Sequence, residues 1–173
     1  KPVPRAFLIQ DKHEARLAKE RLRAKLITKT RIRVLNDTSL MYCCALHIAA
    51  GHYYTLSPGL RLYVDIDRIA RGCNVNWDEL IKWSDDDDAG LRIAIVMYLS
   101  SKLLKTPVPH RVYQKVSSKK RNKRLINYLY NSDTNQIQKK SSKFRRLYIE
   151  LASDDKNLIK SLMTRVIKLF SKK

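Results

Sequence analysis

Two groups of residues in this 173-residue chain have types and spacings that do chemistry. The first is Cys43, Cys44, His47, His52 and Cys73. On a helix, Cys43 and His47 lie four apart and Cys44 and His47 three apart, so either pair can share a face. Structural zinc sites show two clear ligand pairs, such as Cys-x2-Cys with His-x3-His. That double pairing is missing, so the cysteines read as reduced, buried thiols of an intracellular protein. No metal ligand and no cofactor are assigned. The second group is Asp65 and Asp67 in Leu62-Tyr63-Val64-Asp65-Ile66-Asp67. An apolar strand leading into Asp-x-Asp would point both carboxylates the same way, ready to hold Mg²⁺. His13 and His110 have no recognisable partners and are expected to be exposed.

The Asp-x-Asp segment resembles the metal motif of nucleotidyltransferases and primases, which implies Mg²⁺-dependent chemistry on nucleic acid. The Gly-Ser motif of the transferases is missing at the right distance upstream, and no third carboxylate sits on a strand of its own. The competing reading makes Asp65 or Asp67 the N-cap of a helix over 66–73. No P-loop, Rossmann glycine pattern or Ser-His-Asp order occurs. No catalytic residue is assigned, and the chain reads as a non-enzyme.

The elements that would position these groups are mainly helical. Leu40, Met41, Cys43, Cys44, Leu46, Ile48 and Ala49 form a helical run, with Asp37, Thr38 or Ser39 as cap and Gly51 as its C′ stop. His52–Leu56 and Leu60–Val64 alternate around Ser57-Pro58-Gly59, which predicts a short β-hairpin. Helices are expected over 66–73, 76–84 and about 88–105. The last contains the run Ile93–Leu99, too short to cross a bilayer, and stops at Thr106-Pro107-Val108-Pro109. Asp85–Asp88 are expected at its positive N-terminal end. A helix over 11–30 has a thin apolar face that suits packing on a partner or second copy. Further basic or amphipathic helices are expected over 119–131, ending at Ser132-Asp133-Thr134-Asn135, and over 143–152 and 155–170. No signal peptide is visible; the chain begins at Lys1, as a fragment or processed product would.

Residues 65–83 resemble the helix-turn-helix motif. Ala70 is small where the helices cross, Asn74 can take the left-handed turn position, and Val75, Leu80 and Trp83 have the spacing of the inward-facing apolar residues. The fold class expected is therefore a small helical core, helix-turn-helix or winged-helix-like, with a short hairpin and basic flanking helices. The second helix of the motif offers Asn76 and Lys82 to a groove, but also Asp78, Glu79 and the Asp85–Asp88 run, which phosphates would repel. That acidic run is expected to cap the next helix or to dock the protein's own basic flank.

Charge is segregated. The chain has 36 Lys+Arg and 16 Asp+Glu, net +20. Residues 1–36 carry +8, residues 37–105 carry −2 and residues 106–173 carry +14. This divides the chain into a basic arm at 1–36, a core at 37–108 and a basic region at 109–173. The N-terminal basic surface is Arg16, Arg21, Arg23, Lys25, Arg31 and Arg33. The C-terminal clusters are Lys119, Lys120, Arg121, Lys123 and Arg124, then Lys139, Lys140, Lys143, Arg145 and Arg146. Tyr113, Tyr128, Tyr130, Phe144 and Tyr148 are interleaved with them, although Tyr128 and Tyr130 suit the buried face of an amphipathic helix. Lys and Arg release counterions from phosphates, and aromatic rings stack on bases.

The expectation is a non-enzymatic DNA- or RNA-binding protein, a replication or transcription factor or a packaging protein. It would grip the phosphate backbone through its flanks, in the cytoplasm or, in a eukaryotic or viral setting, the nucleus. The alternatives are a peripheral membrane or matrix-type protein binding anionic lipid, with 155–170 as an interfacial helix, and the Mg²⁺ enzyme of Asp65 and Asp67. A homo-oligomer or larger assembly fits any of these.

Overall fold

A computed structural model describes residues 33–55 and 59–134, with 25–26, 148–149 and 152; at 25–26, 33–34 and 131–134 it describes the backbone alone. This part is mainly helical. Its six α-helices are α1 (Asp37–Leu46), α2 (Leu60–Gly72), α3 (Trp77–Asp86), α4 (Gly90–Leu104), α5 (His110–Tyr113) and α6 (Lys120–Thr134). Lys25–Leu26 and Arg33–Val34 run antiparallel as a two-residue ladder outside the helical core.

The core forms around α4. Apolar residues occur on every side of this helix, and Leu91, Ile93, Ile95, Val96, Met97 and Leu99 are all essentially inaccessible. A helix that is apolar all round has to be covered all round. The cover comes from α1, α2, α3 and the segment from α5 through a 3₁₀ turn at Gln114–Val116. Each large apolar side chain so buried contributes about 1.5–3 kcal/mol. The helix ends where Lys105 turns left-handed (φ 55°), just before Thr106-Pro107-Val108-Pro109 as the sequence predicts. Arg71 caps that end: Nη2 donates to the Lys105 carbonyl at 2.9 Å.

The start of α1 is set one residue earlier than expected. Asn36 is the cap, its Oδ1 accepting from the Ser39 N–H at 2.7 Å. Asp37 and Thr38 serve a different element: they accept from the backbone N–H groups of Asn74 and Asn76, both at 2.9 Å. The far end of α1 widens into a π turn at His47–Gly51. Gly51 is not the left-handed stop; the left-handed residues are Tyr53 (φ 50°) and Tyr54 (φ 59°), and Tyr54 is fully buried.

The hairpin expected over 52–64 does not form. Residues 60–64 are the first turns of α2, while 56–58 lie outside the described residues. Leu60, Leu62 and Val64 alternate, but Tyr63, Ile66 and Ile69 are the residues that bury, and their spacing of three is helical. Leu60, the first residue of α2, is 47% exposed.

The helix-turn-helix geometry is also not adopted. Val75, Leu80 and Trp83 do face the core. Asn74, however, is not left-handed, and the chain leaves α2 extended at Cys73 (φ −123°, ψ 158°). α2 and α3 pack mainly on α1 and α4 rather than on each other. The loop between them is held by Asp37 and Thr38, so α1 rather than a tight turn fixes their relation.

α6 runs on through Ser132, Asp133 and Thr134, the first three residues of the segment expected to break it; Asn135 lies outside the described residues. Ser and Asp lower helix propensity only weakly, so a helix already anchored by packing continues through them. The helix expected over 11–30 is contradicted at Lys25–Leu26, which pair as a strand with Arg33–Val34 instead; the rest of 11–30 and all of 155–170 lie outside the described residues. So does most of 143–152, where Tyr148, Ile149 and Ala152 are helical and the latter two buried.

Candidate nucleic-acid interface

The described cationic cluster is built on α6. Leu125, Ile126 and Leu129 are buried, and Asn122 is buried with its Nδ2 donating to the Lys115 carbonyl at 2.7 Å. These four positions fix which face of α6 points inward. The helical period then turns Lys120, Lys123, Arg124, Asn127 and Tyr128 outward, with Lys119 just before them. Arg121 is half-buried. Tyr128 (36% exposed) and Tyr130 (46%) are solvent-facing, contrary to the buried role expected for them. The Tyr148 ring packs edge-on against Tyr128, with centroids 4.9 Å apart.

This placement opposes the helix's own electrostatics. Cations are favourable near a helix C-terminus and unfavourable near its N-terminus. Lys120, Arg121, Lys123 and Arg124 occupy the first turns of α6, and Lys119 precedes them. Local stability would not select that order. An anion at the N-terminus would complement both the exposed amides and the side chains.

The other sequence-predicted contacts are placed as follows. Lys82 is exposed on α3. Asn76 is exposed, but its Oδ1 is occupied as the α3 cap, accepting from the Glu79 N–H at 3.2 Å. Lys25 and Arg33 are on the two-residue ladder. Arg16, Arg21, Arg23, Arg31, Lys139, Lys140, Lys143, Arg145 and Arg146 lie outside the described residues.

The acidic face of α3 is turned to the protein's own basic segment. Asp78 pairs with Arg111 at 3.0 Å, and Asp85 pairs with Lys115. Such exposed pairs contribute only about 0–1 kcal/mol each. The docking of 110–116 therefore rests on buried Val112 and Val116, and the ion pairs set its register. Asp87 is buried and accepts from the Tyr42 hydroxyl at 2.8 Å. Asp85 also lies against the start of α4: a Cβ on Gly90 would sit 2.4 Å from its Oδ1.

Asp65 and Asp67 do not form a carboxylate pair. Both are on α2, where residues two apart point in widely different directions. Asp67 receives Arg71 Nε at 3.0 Å on both oxygens, and that hydrogen bond holds its carboxyl below the usual range. The role of Asp67 is to aim Arg71 at the end of α4. No group of three metal-ligating side chains occurs among the described residues.

The three cysteines are free, as expected, but half-buried rather than buried. Burial pushes the Cys43 thiol up to about 12, reinforced by Cys44; burial also raises Cys44, with Asp65 adding to it. His110 is exposed and meets the Tyr113 ring edge-on at 5.2 Å. Among the described residues, no helix is long and apolar enough to cross a membrane. No family model, curated protein or solved structure matches the chain.

Proposed function

We propose that this protein is a non-enzymatic nucleic-acid-binding protein that holds the phosphate backbone through basic flanks carried on a near-neutral helical core. The supporting observation is the outward face of α6, where Lys119, Lys120, Lys123 and Arg124 crowd an N-terminal end that disfavours them, beside exposed Tyr128 and Tyr130. Phosphates would relieve the repulsion, and the rings would stack on bases. α3 is not the reading element in this proposal, because its carboxylates would repel a backbone and two of them already hold Arg111 and Lys115. Work in replication, transcription or packaging, inside the cell, fits this chemistry.

Binding to labelled duplex DNA, single-stranded DNA and RNA across a salt series tests the proposal. Affinity should fall steeply and log-linearly with salt. Binding that is absent, or flat with salt, overturns it. Co-sedimentation with anionic vesicles and no binding to any of the three nucleic acids would favour the lipid reading instead.

A further inference from the structure

We propose that His47 and His52 form a two-histidine chelate for a divalent transition-metal ion of the zinc class, with its remaining coordination positions open to solvent or to a ligand from another molecule.

The sequence spacing hides this site. In a regular α-helix, residues five apart differ by about 140° around the axis and do not meet. Here the end of α1 widens, and the His52 N–H donates to the His47 carbonyl at 3.2 Å, an i to i+5 bond. The wider turn brings the two side chains onto one face. Turns of this kind are rare and occur frequently at functional sites.

The ring geometry suits one ion. The two Nε2 atoms are 3.1 Å apart and the rings are inclined at 79°. Zinc–imidazole bonds of about 2.0–2.1 Å, placed on nitrogens at that separation, give an N–metal–N angle of roughly 100°. That lies between octahedral and tetrahedral values. Without metal, one ring donates its Nε2–H to the other. Metal binding needs both Nε2 lone pairs, so the donor ring carries its single proton on Nδ1 instead.

The surroundings match the requirement. Gly51 lets the His47 ring fold over the turn: a Cβ there would sit 3.1 Å from Nδ1. The thiols on the preceding turn, Cys43 and Cys44, do not group with the two rings into a set of three ligands. With no third protein ligand among the described residues, the site is open rather than structural.

Titration of the full chain with ZnCl2, and separately NiCl2, by calorimetry at neutral pH tests this. One ion per chain should bind. His47→Gln and His52→Gln should each weaken it at least tenfold, and the double variant His13→Gln/His110→Gln should leave it unchanged. Long-range nitrogen–proton spectra of the wild-type imidazoles give a readout free of variant folding: the Nε2 signals of His47 and His52 should shift together with Zn²⁺. The proposal is overturned by absence of stoichiometric binding, by Nε2 signals of this pair that stay fixed, or by loss of the site with His13 and His110.

Discussion

The Tyr42 hydroxyl donates to the Asp87 carboxylate at 2.8 Å, joining the middle of α1 to the turn between α3 and α4. Both residues are buried, at 1% and 4% exposure. The Tyr42 ring also meets Trp83 edge-on, with centroids 6.2 Å apart. Hydrogen bonds to charged groups are worth about 1.5–3 kcal/mol, and removing one donor from a buried carboxylate costs on that scale. Tyr42→Phe keeps the ring contact and should lose about that much stability in urea unfolding. A change within error would show that Asp87 is satisfied without Tyr42.

Asn76 is a cap whose backbone N–H is also held by Thr38. Asn76→Ala should cost about 0.5–2 kcal/mol of stability. Nucleic-acid sequence preference should not change, since its side chain faces the α3 amides. Thermal melts and a competition assay with varied oligonucleotides check the two halves separately.

Two glycines separate cleanly. A Cβ at Gly59 would sit 2.0 Å from the Thr55 carbonyl oxygen, so Gly59→Ala forces the backbone to shift where α2 begins. A loss of about 1–3 kcal/mol is expected from that overpacking. Gly72 ends α2 with nothing within 4 Å of an added Cβ. Gly72→Ala should raise stability by about 0.4–1 kcal/mol, by restricting the unfolded chain. Equilibrium unfolding of the two variants should move in opposite directions.

Cys43 gives a pH dependence with a definite sign. Its folded thiol is raised from 9.0 to about 12, so the native state keeps a proton that the unfolded chain has released. The contribution is present below pH 9 and is lost as pH rises from 9 towards about 12. Wild type should lose stability over that window faster than Cys43→Ala. Alkylation of Cys43 in the folded protein at pH 8 should be slow relative to the unfolded chain.

Tyr128 and Tyr130 should matter most for unpaired bases. Tyr128→Ala and Tyr130→Ala should each weaken single-stranded binding by about 1–3 kcal/mol per stacked base, while the Phe variants retain it. Lys123→Ala should weaken binding to every sequence alike and reduce the salt slope by about 1. Equal losses on duplex and single strand from the tyrosine variants would assign the rings a packing role.

The linear order of residues determined several things by itself. The split of charge between flanks and middle is a property of composition along the chain. The all-apolar Ile93–Leu99 run dictates a central, covered helix, and the Pro-rich stop after Lys105 dictates its end. Leu80 and Trp83 were legible as core because residues three apart share a helical face, and Val75 because it fills the apolar position just before that helix. Residues 60–64 were not legible as helix, because over so short a window Leu60, Leu62 and Val64 fit a period of two as well as their neighbours fit 3.6; burial of Tyr63, Ile66 and Ile69 decided it. That decision separated Asp65 from Asp67 and gave Asp67 to Arg71. Tertiary packing likewise decided that α2 and α3 rest on α1 and α4, since local spacing names an inward face without naming what covers it. It turned Tyr128 and Tyr130 outward because Leu125, Ile126 and Leu129 took the inward face. And it brought His47 to His52, five apart, through one widened turn that a regular helical period does not contain.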